Sequence, residues 1–418
     1  MIKTYKVMLV PNKKQETKLF AYASAARFAY NWALEKQMAA FRNGEGFLTD
    51  SYLRKEFTQF KKTEEGQWLN KISNNVMKQA IKDCCEAYVN FFRVYKKTGV
   101  KYSKKKKEHF ARIGRTLTVY DMKGHPKFKS RKHSPAKFYQ DNVKLKITDT
   151  HVKVEGFAVS KKRNKQRLNW IRLAEHGRIP TGCGYTEPRI RYDGEHWWLT
   201  VGVKESENTT RCDKEGIGID LGIKDLAVCS DGKKYKNINK TRKVKKLEKK
   251  KRRIQRSIAR KYENNKEGGS YCKTNNIKRS EKRLLKINHR LANIRRNYLH
   301  QTTTELIKRE PSFICMEDLN VKGMMKNRHL AKAIQDQGFY EFRRQIDYKA
   351  EWKGIKVVYA DRFYPSSKTC ICCGHIKKDL KLSDRIYKCC ACGNVIDRDY
   401  QAALNLKRYG ENVLQSVI

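Results

Sequence analysis

Residues 1 to 10 alternate between apolar and polar and stop at Pro11, the pattern of a single strand. From Gln15 the period changes: Leu19, Ala23, Ala26, Tyr30, Leu34, Met38 and Phe41 recur at steps of three and four, as one face of an amphipathic helix requires. A second such run covers 68–95, with Val76, Ala80, Cys84, Tyr88, Phe91 and Tyr95 on one face. Together they predict a helical module over 11–100 that follows one strand. Between 101 and 205 the apolar runs become short and alternating. Runs 144–148 and 152–157 flank Asp149-Thr150-His151, and 189–192 meets 197–203 across Asp193-Gly194, a favoured turn pair. These strands predict a small β-barrel that the first strand could join.

The second half opens on GIGIDLGIKDLAVCSDGKKY from Gly216: an apolar strand ending in Asp220, a turn, a second strand and, past Asp231-Gly232, a third. Another apolar strand, FICM at 313–316, delivers Glu317 and Asp318 at its end. Asp397 and Asp399 lie in IDRDYQAALNLKRYG, where helical spacing then begins. A carboxylate at the end of a buried strand is costly to desolvate unless a cation or hydrogen bonds compensate. One such aspartate is as readily a structural cap as an active-site group. Three acidic positions from separate elements are what two magnesium ions about 3.5–4 Å apart require for in-line phosphodiester hydrolysis. Hard divalent ions select oxygen ligands, so carboxylates are the right residue type.

Between the first two acidic strands, residues 242–261 hold 12 lysines and arginines against the single acid Glu248, while Val244, Leu247, Ile254 and Ile258 keep helical spacing. After Gly268-Gly269, Leu284, Ile287, Leu291, Ile294 and Tyr298 continue it. The pattern predicts a helical hairpin packed on its own seam, with basic outer faces suited to a nucleic-acid wall.

Cysteine spacing adds a second metal. Cys370-x-x-Cys373-Gly374 and Cys389-x-x-Cys392-Gly393 are separated by 15 residues between the inner cysteines, as a tetrahedral Zn2+ site between two knuckles requires. Cys372, Cys390 and His375 are further possible ligands; the knuckle glycines, which let the backbone turn toward the sulfurs, favour the first four. Four thiolates leave no open position for water, so such a zinc is structural. The other cysteines of the 13, among them Cys84, Cys85, Cys229 and Cys315, are scattered singly or lie in helical or strand patterns and read as reduced thiols.

Charge names the partner class. The 418 residues carry 94 lysines and arginines against 43 acids, a formal net charge of +51. Such an excess calls for a polyanion, and a phosphate backbone serves while releasing counterions. Basic segments interleaved with aromatics, KYSKKKKEHF and FKSRKH, suit phosphate contact beside base stacking. No apolar run approaches the roughly 20 residues of a membrane span, and the apolar stretch at 7–10 is too short for a signal peptide, so a cytoplasmic location is expected.

GIDLGIKDLAV, ICMEDL, KNRHLAKAIQDQGFYEFRRQIDYKAEWKG, YPSSKTC and DRDYQAALN, with weaker support from SAARFAYNWAL and AYVNFF, resemble TnpB, the insertion-sequence nucleases related to compact type V CRISPR effectors. The likeness runs over essentially the whole chain. It implies an α+β multidomain protein: the first strand of a wedge barrel (1–10), a helical recognition module (11–100), the wedge β-barrel (101–205), an RNase H-like RuvC nuclease in two parts (206–366 and 396–418) and an inserted zinc ribbon (367–395). The family's catalytic, magnesium-binding carboxylates fall on Asp220, Glu317 and Asp399, and its ribbon cysteines on Cys370, Cys373, Cys389 and Cys392. One departure stands out: Gln401 occupies a position where Asn is common.

The resemblance further implies a guide RNA from the transposon end, one protein copy per guide, and cleavage of target double-stranded DNA beside a short flanking motif. Asn74, Asn75, Lys78 and Gln79 offer groups suited to base edges, though they would equally serve as a polar helix face. Residues 326–331 match the position of a lid over the nuclease site, from which Arg328 could reach the scissile strand. Two other readings are a nuclease-inactive RNA-guided repressor and a guide-free RuvC-like transposase or resolvase.

Overall fold

The computed structural model describes residues 2–99, 101–156, 168–205, 214–381 and 384–416. It divides into two compact units, Met1–Ser206 and Glu207–Ile418.

In the first unit, strand β1 (Ile2–Val10) is followed by helices α1 (Lys13–Arg42), α2 (Asp50–Phe60), α3 (Asn74–Thr98) and α4 (Lys104–Arg112). Then come strands β2 (Lys137–Tyr139), β3 (Lys146–Ile147), β4 (His151–Lys153), β5 (Trp170–Leu173), β6 (Tyr185–Tyr192) and β7 (Trp197–Lys204). Helix α1 starts where Asn12 and Gln15 form a reciprocal capping box. The second helix begins at Asn74 and not near Trp68, because Ser73 supplies the N-cap and a 3-10 turn, Gln67–Lys71, precedes it. KYSKKKKEHF, which lacks apolar periodicity, holds helix α4 under a Ser103 cap. At Asp193-Gly194 the aspartate accepts the N–H groups of Glu195 and His196, and Gly194 takes φ 99°.

The seven strands make one antiparallel sheet, in the order β2-β6-β7-β1-β5-β4-β3, with β1 in the middle. Its edges, β2 and β3, are consecutive strands. If flat, the six interstrand steps of about 4.8 Å would hold them about 29 Å apart. The chain must pass from Tyr139 to Lys146, a reach of at most about 25 Å. The sheet therefore rolls. Buried Gln140 ties the roll: its N–H donates to the Pro188 carbonyl (3.0 Å), and its side-chain oxygen accepts the N–H of Glu155 (3.1 Å). The expected barrel is thus a rolled sheet left open, with no strand pairing between its edges among the described residues. The predicted run 152–157 is shorter than expected, and Phe157 lies outside the described residues. Sheet and helices share one core, in which Val7, Leu199 and Val201 meet Leu19, Ala33 and Ile81.

The second unit is built on a five-stranded sheet. Strands β8 (Ile217–Leu221), β9 (Asp225–Cys229) and β10 (Lys234–Lys236) form a meander. Helix α5 (Arg242–Glu263), a two-strand tip of β11 (Lys266–Glu267) and β12 (Ser270–Tyr271), and helix α6 (Asn275–Lys308) follow. Next are β13 (Phe313–Glu317), α7 (Val321–Met324), α8 (Ala331–Gln337), α9 (Phe339–Glu351) and β14 (Lys356–Ala360); β15 (Ile386–Lys388) pairs with β16 (Val395–Asp397) ahead of α10 (Arg398–Gln415). The order is β10-β9-β8-β13-β14, with β8, β13 and β14 parallel. The α5/α6 hairpin closes on the expected seam, where Val244, Leu247 and Ile254 meet Ile287, Leu291 and Ile294.

Strand alternation gives this sheet two faces. Ile217, Ile219, Ile314 and Met316 bury against Leu299 and Leu306 of α6 and Phe342 and Ile346 of α9. Phe313 and Cys315 face the opposite way, onto Leu406 of α10. Helix α10 lies so close that a Cβ on Gly218 would overlap the backbone of Ala403 and Lys407, and one on Gly410 would press on Phe313 and Cys315.

Candidate active site and metal centre

Those contacts orient α10 antiparallel to β8 and β13 and place its first turn over their C-terminal ends. Gly218 faces Ala403; Asp220 lies two residues along the same strand face, and Asp399 lies one helical turn before Ala403. Met316 is registered with Ile219, so the next step sets Glu317 level with Asp220 on the α10 side, one strand spacing of about 4.8 Å away. Three carboxylates far apart in the chain thus converge at the end of the parallel strands.

The electrostatics agree with this convergence. Asp220 is enclosed by protein but keeps part of its surface open, as at the bottom of a recess. Burial raises its pKa well above the ordinary carboxylate range, and the charges of Glu317, Asp399 and Asp397 raise it further against a smaller opposing effect from Arg398. Neighbouring acids have other work. Asp397 caps α10, accepting the N–H groups of Asp399 (3.1 Å) and Tyr400 (3.0 Å), and pairs with Lys234 at 2.9 Å. Burial opposes its ionisation, but these partners outweigh it and hold its pKa low. Asp318, one residue past Glu317, is held between Arg343 and Arg362 at 2.6 Å each, which keeps its carboxyl below the usual range. Buried Ser366 donates a short hydrogen bond to Glu317, and Arg385 stands 3.8 Å from Asp399.

Among the described residues, the only group of three or more potential ligands whose atoms all lie within 4.8 Å of one another is Cys370, Cys373, Cys389 and Cys392. Its sulfur pairs Cys370–Cys392 and Cys373–Cys389 are each 3.6 Å apart. A tetrahedron with zinc–sulfur bonds of about 2.3 Å sets sulfurs about 3.8 Å apart, so the four thiols fit zinc. Burial opposes the Cys370 thiolate, yet the N–H groups of Cys373 and Cys372 and the neighbouring thiols pull its pKa down to about 6. Cys372 and Cys390 are exposed outside the cluster, and the Cys390 sulfur instead lies 3.2 Å from His375 Nε2.

In the first unit, Asn74, Asn75 and Lys78 line a cavity of about 650 Å³ that also presents Lys61, Lys71 and Lys144. Asn74 accepts from Lys61 at 2.5 Å, and Asn75 donates to Glu155 at 3.2 Å. Gln79 does not line it; its amide donates to Asp83, which Arg189 clamps with two bonds. Arg328 is exposed in the turn between α7 and α8.

Three family models match along the chain: "Helix-turn-helix domain" of IS605 OrfB over 1–46, "Probable transposase" of IS605 OrfB over 199–328, and "Cas12f1-like, TNB domain" over 339–406. A protein of Escherichia coli (strain K12) named "Putative RNA-guided DNA endonuclease InsQ" is 27% identical over 430 residues, covering 99% of this chain and 93% of its own length. The chain belongs to the TnpB/IS605 OrfB family. The CRISPR-associated endodeoxyribonuclease Cas12f1 of Sulfoacidibacillus thermotolerans is 37% identical over 101 residues, 24% of this chain and 22% of that protein. The fold resembles that in the "Cryo-EM structure of the Cas12f1-sgRNA-target DNA complex", with a TM-score of 0.50 and 15% identity over 97% of this chain and 98% of the other.

The TnpB-family transposase match contains Asp220 and Glu317, and the TNB match contains the four cysteines and Asp399. Of residues 1–46, matched as a helix-turn-helix, those described, 2–46, hold one strand and one uninterrupted helix. Sequence reasoning missed Ser366, although it lies in YPSSKTC, and the Asp318 clamp, because Glu317 and Asp318 look alike until strand alternation turns them to opposite sides. Gln401 is fully buried, and neither amide atom has a hydrogen-bond partner among the described residues.

Proposed function

We propose that this chain is an RNA-guided DNA endonuclease that cleaves double-stranded DNA beside a short flanking motif, with Asp220, Glu317 and Asp399 as its metal-binding carboxylates. The observation that carries the reading is the alignment of Asp220 and Glu317 on adjacent parallel strands beneath Asp399, where burial first and then the charges of Glu317 and Asp399 drive the Asp220 pKa upward. Mutual repulsion of that kind is relieved by cations. Three carboxylates brought together from separate elements are a donor set that two magnesium ions about 3.5–4 Å apart would use. Bound magnesium would supply Lewis-acid stabilisation of the phosphate and an activated water. The chain's own residues hold the geometry: Ser366 fixes Glu317, Asp397 and the start of α10 fix Asp399, and Arg385 stands near Asp399 to meet phosphate charge.

In this reading the second unit is an RNase H-like RuvC nuclease carrying a structural zinc ribbon. The first unit comprises the wedge, here a rolled sheet, and the recognition helices. Asn74, Asn75 and Lys78, around a lysine-lined cavity, are suited to read the flanking motif, and exposed Arg328 to contact the cut strand. Sequence choice belongs to a guide RNA from the transposon end, which fits a net charge of +51 without requiring base-specific contacts along the target. No helix among the described residues is long and apolar enough to cross a membrane.

The test is to purify the protein with its RNA, sequence that RNA, and assay magnesium-dependent cleavage of a duplex matching the guide. Cleavage that survives complete removal of the RNA would replace this reading with a guide-free nuclease. Guide-dependent binding without cleavage would leave a repressor.

A further inference from the structure

On the other side of the sheet from α10, at the same C-terminal strand ends, the second unit holds a cavity of about 200 Å³. Leu221 and Met316 form its sheet wall, each one residue away from a proposed catalytic carboxylate. Leu319, Phe339 and Tyr359 supply further apolar wall, and Tyr340, 70% exposed, stands at the edge. Glu317 lines the cavity as well, so the recess and the carboxylate cluster meet at one rim.

Beside Glu317, the same rim carries cations. Arg343 and Arg362 both bond to Asp318, so two guanidinium groups share one carboxylate, and Lys322 adds a third positive charge. The Arg343 guanidinium lies 3.7 Å from the centre of the Tyr359 ring, which holds its plane against the cavity wall. An apolar, aromatic recess under a positive rim matches a nucleotide: an uncharged π-surface for the interior and a phosphate for the edge. An acidic peptide would find the rim but no use for the aromatic walls, and a lipid chain would be repelled by neither wall but would leave the rim cations unanswered.

We propose that this cavity receives one base of the DNA strand being cut, the base next to the scissile phosphate. The proposal rests on the nuclease reading above and adds to it a positioning site. Asp220 and Leu221 are consecutive and point to opposite faces, so a strand crossing the sheet's end sets a phosphate at the carboxylates while its neighbouring base turns into the recess. Seating the base would fix the register of the phosphate and demand an unpaired strand, since a base inside a duplex could not enter.

Guide-loaded protein should be given targets carrying a single abasic nucleotide at each successive position across the cut. Cleavage is expected to fall roughly tenfold at one position beside the cut and to change little elsewhere, as loss of one stacked base predicts. Val321→Trp, which fills the recess, should erase that position dependence. A second measurement does not need cleavage: single-stranded DNA with 2-aminopurine at the sensitive position, or scanned along the strand, should be quenched on binding Asp220→Ala protein, and Tyr340→Ala should relieve the quenching. Tyr340 is exposed enough that its loss leaves the core intact. A flat abasic profile with cleavage intact, or quenching unchanged by Tyr340→Ala, overturns the base pocket and leaves the nuclease reading standing. Tyr340-dependent quenching in a protein that never cleaves supports the pocket and removes the nuclease.

Discussion

The second unit contains two clusters of potential metal ligands that solve opposite problems. In the cysteine ribbon, backbone N–H groups point at the sulfurs, and the Cys370 and Cys389 thiols are pulled down while Cys373 and Cys392, sharing protons with them, are pushed up, so half of the ligand set favours the thiolate before any ion arrives. At the sheet end, burial and three neighbouring acids push Asp220 up, so the site resists its own ionised state. The ribbon is closed by four sulfurs within 4.8 Å of one another, whereas Asp220 keeps part of its surface open. Structural metal sites gain from a complete, preformed shell; a site that must exchange water and phosphate gains from an incomplete one whose charge is held in reserve.

The comparison breaks most sharply at Asp220. Asp220→Ala should lower cleavage by roughly 10³-fold while guide and target binding persist, and single-turnover kinetics beside a binding assay would measure both. Retained cleavage would remove the carboxylate assignment. At the ribbon, Cys389→Ser should reduce bound zinc from about one ion per chain to none and lower the melting temperature, whereas Cys390→Ser, whose sulfur faces His375, should change neither. Metal analysis and thermal melts decide between them.

Gly218→Ala tests how the two sides of the sheet end are held together. The new methyl group meets the backbone of Ala403 and Lys407, so α10 must shift, at a cost of about 1–3 kcal/mol. Because Asp399 moves with the helix, cleavage should fall by roughly 10²-fold, more than the change in melting temperature alone explains.

The pH dependence of stability sharpens the contrast in sign. Folded Asp220 holds its proton above the ordinary carboxylate range, where the unfolded chain releases it, so without divalent ions its contribution to stability falls as pH rises through that window. Asp318 and Asp397 run the other way: their contributions are present above the ordinary range and are lost as pH falls through their lowered values. Melts across pH in chelator should show Asp220→Asn to be the more stable protein at neutral pH, and magnesium should narrow that gap. No narrowing would mean that the site does not bind the ion. The smallest expected effect on cleavage is that of Ser366→Ala, which removes one hydrogen bond to Glu317 and should slow cleavage roughly tenfold with little loss of stability.

Several features were decided by local sequence. The α5/α6 seam follows from helical spacing at Val244, Leu247, Ile287 and Leu291, and the four clustered cysteines follow from two short knuckles, because both depend on residues a few positions apart. The acidic strands were equally legible, since apolar runs ending in a carboxylate are rare and costly. Tertiary structure decided the rest. Nothing local distinguishes Glu317 from Asp318; the register of β13 on β8 turns one toward Asp220 and leaves the other between two arginines. Nor does a pattern of short strands say whether a sheet closes: here a connection too short for a flat sheet rolls it, while the pairing of its edges is left unmade. Periodicity and spacing fix what a residue's near neighbours are, but which distant groups share a face, and so which charges must be compensated, depends on strand register and on how closely glycine lets a helix approach.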